Sequence, residues 1–112
     1  MAYYLVLSKP PEGVSEEDYN RWFDGHVAHI LELPGFVAAQ RLEMHFKRGT
    51  IDPPPFTYLC LYEIEGDFDA AMQALRSAVD GGQMHFEEWM PRHVSGGWEC
   101  RELGGRVVAA DA

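Results

Sequence analysis

Two histidines stand three residues apart in RWFDGHVAHILELPGF, the stretch from Arg21 to Phe36. Imidazole titrates near neutrality, so a histidine facing a pocket can accept or donate a proton. At about 100° per residue, His26 falls in the middle of an apolar helical stripe made by Tyr19, Trp22, Phe23, Ile30 and Leu33. His29 falls on the rim of that stripe, and Asp18, Arg21, Asp24 and Glu32 fall away from it. Desolvation disfavours the imidazolium, so the central position predicts a neutral ring for His26, the form a general base needs. The same position also suits a histidine that only packs, with its ring bonded to a backbone carbonyl. The i, i+3 spacing could hold a metal. However, no carboxylate or cysteine stands at ligand spacing and HEXXH is absent, so no metal is expected.

Other residues could complete a site. Trp22 and His29 lie beside His26 on the helix, and His45 lies near the end of a strand. Tyr3 and Tyr58 are the hydroxyls expected to polarise a developing oxyanion. Tyr62 and Trp98 could line a cavity, although aromatic residues in strands also serve as core. His85 shares a face with Trp89, and His93 follows. Arg41 and Glu43 share one side of a strand with His45: a solvated ladder if that side is wet, an anion or carbonyl holder if it faces a pocket. There is no Gly-rich phosphate loop, no GxSxG elbow and no nucleophilic cysteine signature, which disfavours nucleotide chemistry and covalent catalysis.

These side chains must be positioned by one modest core, because the chain has 112 residues. A single domain over 1–112 is expected, with 46% hydrophobic and 24% charged residues, as in ordinary globular proteins. A net charge of −9 repels phosphate backbones, so nucleic acid is not an expected partner. The N-terminal apolar run is too short for a signal peptide or a span, which leads to the expectation of a cytoplasmic protein with no membrane partner. Cys60 and Cys100, without CxxC spacing, are then expected as thiols.

The elements follow from periodicity and punctuation. Ala2 to Ser8 reads as a strand, and Ser15 as the N-cap of a helix from about Glu16 to Leu33, stopped by Pro34-Gly35. Strands are expected over Phe36 to Phe46 and Phe56 to Ile64, separated by KRGTIDPPP, a loop long enough to close over a pocket. A second helix is expected from Phe68 to Val79 behind the N-cap Asp67, then a short third helix from Met84 to Met90 and a strand from Ser95 to Leu103. The order β-α-β-β-α-β is ferredoxin-like: an antiparallel α+β sheet with helices on one face. Tyr3, Leu5 and Leu7 lie on one side of the first strand and Tyr4 and Val6 on the other, so both faces carry apolar bulk. A second copy of the chain, packed sheet to sheet, is the simplest cover, and a homodimer is expected.

Tyr19-Asn20-Arg21-Trp22, then His26, then Leu33-Pro34-Gly35-Phe36 resembles the EthD-like family of the dimeric α+β barrel superfamily. The match is best from Tyr3 to Phe46, and Ala28 stands where the family often has proline. The resemblance implies a sheet-dimerised ferredoxin-like fold with a cavity between sheet and helices. The superfamily includes cofactor-independent cyclases, isomerases, decarboxylases and monooxygenases of aromatic or polyketide-like compounds, as well as haem-binding members. By position the family's acid/base histidine is His26. The expectation is therefore an enzyme without cofactor acting on a hydrophobic carbonyl-bearing or phenolic molecule. The alternatives are a non-catalytic dimer that binds a small ligand, and haem chemistry with His26, His45 or His85 as axial ligand.

Overall fold

The structure, a computed structural model, describes residues 1–49, 56–84, 86–89 and 94–110. Its elements in chain order are β1 (Ala2–Lys9), α1 (Glu16–Ile30), β2 (Phe36–Glu43), β3 (Tyr58–Ile64), α2 (Phe68–Asp80) and β4 (Val94–Arg101). The strands form one antiparallel sheet in the order β2-β3-β1-β4, so the expected ferredoxin-like arrangement is the observed one. Most of the expected loop lies at residues 50–55, outside the described residues, as do His85 and His93.

Alternation in β3 decides where the core goes. Tyr58, Cys60, Tyr62 and Ile64 are buried, whereas Leu59 and Leu61 are only half-covered. The register puts Tyr4 opposite Tyr62, Val6 opposite Cys60 and Ser8 opposite Tyr58, so these residues share the covered face. The helices pack there: Tyr19 of α1 stacks on Tyr58, and Phe68 of α2 meets Tyr4 edge-on. Fully burying one such side chain contributes about 1.5–3 kcal/mol. Tyr3, Leu5, Leu7, Leu59 and Leu61 occupy the opposite face, which neither helix covers.

Each helix starts on a side-chain cap. Ser15 Oγ accepts from the Asp18 amide at 3.1 Å, and Asp67 Oδ2 accepts from the Ala70 amide at 3.0 Å. Glu16, Glu17 and Asp18 face the positive end of the α1 dipole. α1 ends at Ile30, three residues before the expected Leu33, because the chain already turns there: the Leu33 amide bonds to the Ile30 carbonyl at 2.9 Å. Residues 85 and 90 of the expected helix over Met84 to Met90 lie outside the described residues, and the described ones are not helical. The described residues there hold a bend and a turn, which carry Trp89 back onto Tyr19 and Trp22 of α1. β4 ends at Arg101, and the tail from Gly104 to Ala110 is exposed without regular structure.

Gly35 closes the α1–β2 connection. Its φ of +92° lies where side chains are strained, and a Cβ there would stand 3.0 Å from the Ala71 Cβ of α2. Its carbonyl also accepts from the Glu65 amide at 2.9 Å, tying this turn to the end of β3. Gly35→Ala is therefore expected to destabilise the fold by about 1–3 kcal/mol. Urea denaturation reads this as a lower midpoint at unchanged slope, and an unshifted midpoint would contradict it.

Tyr19 is fully buried, with its hydroxyl toward Ser8, and burial pushes its pKa from 10.0 up to about 12. A raised folded-state value means that the unfolded chain deprotonates first. The associated stability is complete below pH 10 and is lost as pH rises through 12, by roughly 3 kcal/mol in total. Denaturation at pH 9 and pH 12 is expected to show that loss, and Tyr19→Phe is expected to reduce it.

Candidate functional site

The site is built on one flank of α1. Tyr19, Phe23 and Ile30 point straight into the core and are buried. Trp22 and His26, one turn apart, lie beside them and are half-buried. Their rings stack on each other, centroids 4.6 Å apart and planes 16° from parallel. His26 also meets the Phe23 ring edge-on at 5.8 Å. Such ring pairs hold a side chain with about 0.5–1.5 kcal/mol beyond the area they bury. The expected central histidine is therefore an aromatic-clamped one at the boundary of the core.

Space lies on both sides of that stack. A cleft of about 160 Å³ between the helices and the sheet is lined by His26, Trp22, Phe23, Tyr4, Tyr62 and Ser95, among others. A larger groove of about 420 Å³ runs along the outside of α1, lined by His26, Trp22, His29, Trp89, Asp18 and Arg21, among others. Among the described residues, Trp22 and His26 alone belong to both linings.

Tyr4 crosses the sheet because β4 gives way beneath it. A Cβ at Gly97 would fall 2.6 Å from the Tyr4 ring carbon Cε1, so only glycine lets the ring lie there. On the opposite face, Trp98 folds over Gly96 in the same manner. Burial raises the pKa of the Tyr4 phenol, which keeps it a hydrogen-bond donor at neutral pH. Tyr62, stacked on Tyr4 at 6.0 Å, is raised further by burial.

The other flank of α1 is closed by Arg41 of β2. Its guanidinium lies over the Phe23 ring at 4.4 Å and over the Tyr58 ring at 5.3 Å. It donates to Asn20 Oδ1 at 2.9 Å and pairs with Asp24 at 3.4 Å. Asn20 in turn donates to the Tyr58 hydroxyl at 3.3 Å. The side of β2 that carries Arg41 thus faces the helix, and the arginine pins α1 to the sheet.

The structure brings His26, Trp22 and His29 together, the last exposed on the groove. It separates the other candidates from them. Tyr3 is on the uncovered face of the sheet, its hydroxyl 3.5 Å from Glu102 Oε1, because residue parity in β1 sends Tyr4 to the helices instead. Tyr58 is buried under Tyr19 and engaged by Asn20, and it lines neither cavity. His45 lies beyond the end of β2, exposed, 3.5 Å from Glu43. Of the hydroxyl-bearing residues that line the cleft, Tyr62 was expected in a cavity wall, whereas Tyr4 and Ser95 were not among the expected site residues. Pairing the Tyr4/Val6 side of β1 with the Tyr58/Cys60/Tyr62 side of β3 is the signal that could have found Tyr4 beside Tyr62. Among the described residues no cluster of three His, Cys, Asp or Glu side chains could hold a metal ion, and no helix is long and apolar enough to cross a membrane.

No family model and no curated protein matches the chain by sequence. Solved structures do match it. The protein At3g17210 of Arabidopsis thaliana superposes with a TM-score of 0.71 at 10% identity, over 96% of this chain and all of that one. A variant of SnoaB, a cofactor-independent oxygenase from Streptomyces nogalater, gives 0.62 at 16% identity, covering 93% of this chain and 95% of its own. An EthD family protein of Bacillus halodurans gives 0.60 at 15% identity, over 92% and 99%. At such identities the likeness is one of fold, and it agrees with the aromatic–His and Leu-Pro-Gly pattern of α1. The chain shares its ferredoxin-like α+β fold with these solved structures, an EthD family protein among them.

Proposed function

We propose that the protein is a small enzyme that moves a proton on a hydrophobic carbonyl-bearing or phenolic compound without a cofactor. The observation that carries this reading is His26: a half-buried imidazole clamped on Trp22 in the wall of an aromatic cleft that Tyr4 also lines. His26 takes a proton from a phenol or from a carbon beside a carbonyl. The electron pair left behind moves onto oxygen, where the Tyr4 O–H donates to it. Returning the proton to another atom of the same molecule completes an isomerisation with atoms in balance. The fold likeness to a cofactor-independent oxygenase supports the cofactor-free part of this reading.

The reading extends to a homodimer. The uncovered face carries Leu5, Leu7, Leu59 and Leu61 in the two central strands, flanked by Leu42 and Trp98, which are 47% and 48% exposed. A second copy offers the same apolar face and meets the first about a two-fold axis. Sedimentation equilibrium at micromolar concentration is expected to give twice the chain mass of 12.7 kDa, and a monodisperse monomer would exclude the dimer.

The chemistry is tested by deuterium exchange from D₂O into a panel of monocyclic aryl ketones, followed by NMR. The protein is expected to accelerate exchange at the carbon beside the carbonyl, and His26→Ala to lower that rate by about 10²–10⁴-fold. An equal rate in the variant would remove His26 from the chemistry. Ligand binding that persists without exchange in either protein would favour a non-catalytic small-ligand carrier.

A further inference from the structure

The inner cleft, at about 160 Å³, is small for an enzyme of hydrophobic compounds. A dry cavity of roughly 150 Å³ holds one benzene ring. The cleft walls are aromatic and aliphatic, with Phe23, Ile30 and Leu75 beside the hydroxyl-bearing Tyr4, Tyr62 and Ser95. The outer groove is of a different kind. It is larger, and its rim residues Asp18, Arg21 and His29 are exposed and polar or charged. What divides the two is a single layer: the stacked rings of Trp22 and His26, which belong to both walls.

We infer that the Trp22–His26 stack is a partition that sets ligand size. The inner cleft admits one six-membered ring, and the remainder of the ligand lies in the outer groove, past the stack. The ligand class is therefore a single-ring phenol or aryl ketone carrying a polar extension, and a fused-ring system is excluded. Trp22 is the specificity-determining residue of this arrangement: it touches both compartments and its bulk forms the fixed half of the wall.

This inference rests on the cleft being the ligand site, but its test reads binding alone, so it stands or falls separately from proton transfer by His26. The probes are 4-hydroxyacetophenone and its two-ring analogue 6-hydroxy-2-acetylnaphthalene, which differ only by one fused ring. Isothermal titration of the whole protein is expected to show the one-ring ketone binding at least tenfold more tightly. Trp22→Ala joins the two compartments and is expected to erase that preference, with Trp22→Leu, which keeps an apolar contact with Phe23, reducing it. Equal affinity of both probes for the unaltered protein would overturn the inference. So would an unchanged preference in Trp22→Leu, whether or not Trp22→Ala folds. Binding with the expected preference but without deuterium exchange would preserve the partition and remove the proposed chemistry.

Discussion

The antiparallel pairing of β1 with β3 is the contact on which the rest of the molecule depends. Side chains in a strand alternate between faces, so this register decides which half of each central strand the helices cover. With Tyr4 opposite Tyr62 and Ser8 opposite Tyr58, both phenols that reach the cleft and the hydroxyl that faces Tyr19 lie on one side. A slip by one residue would send Tyr3, Leu5 and Leu7 under the helices and turn Tyr4 out. The β1 tyrosine that lines the cleft with His26 is thus chosen by a hydrogen-bonding register many residues away from the helix.

The two flanks of α1 are built differently, and the difference makes the site. On one flank Arg41 fills the gap with a guanidinium laid on Phe23 and bonded to Asn20, so the helix cannot lift there. On the other flank β4 supplies Gly97, which makes room for the Tyr4 ring, and Ser95, which lines the cleft with Trp22 and His26. Close packing is the default of a protein interior. A cleft that persists there is the product of small residues on the strand and of rings that stack on each other instead of interdigitating with α2. Rigidity on the arginine side and space on the tryptophan side belong to the same helix, which is how a half-buried histidine keeps a defined position.

Some of this was legible in the chain. Ser15 and Asp67 were readable as caps because a short oxygen-bearing side chain before an apolar periodic run has few other uses, and both cap as expected. Pro34-Gly35 was readable as a stop, and the structure adds why glycine is needed: a positive φ against Ala71. The element order, the helical position of His26 and the rim position of His29 also followed from periodicity. Boundaries were less legible: α1 stops at Ile30, where a local turn bond replaces the helical one, although the apolar spacing runs on to Leu33. The segment after α2 has a helix-like pattern, yet its described residues hold a bend and a turn, and Trp89 packs on Tyr19 and Trp22.

What the sequence by itself determined are properties of local order: which segments become strands and helices, where they start, and which face of α1 carries the imidazole. These depend on neighbours three or four residues away, and the spacing records them. Only the tertiary structure decided which tyrosine reaches the cleft, that Arg41 clamps the helix, and that His26 stands on a wall between two spaces. Those outcomes depend on strand register and on what is missing opposite α1, and a one-dimensional pattern carries neither.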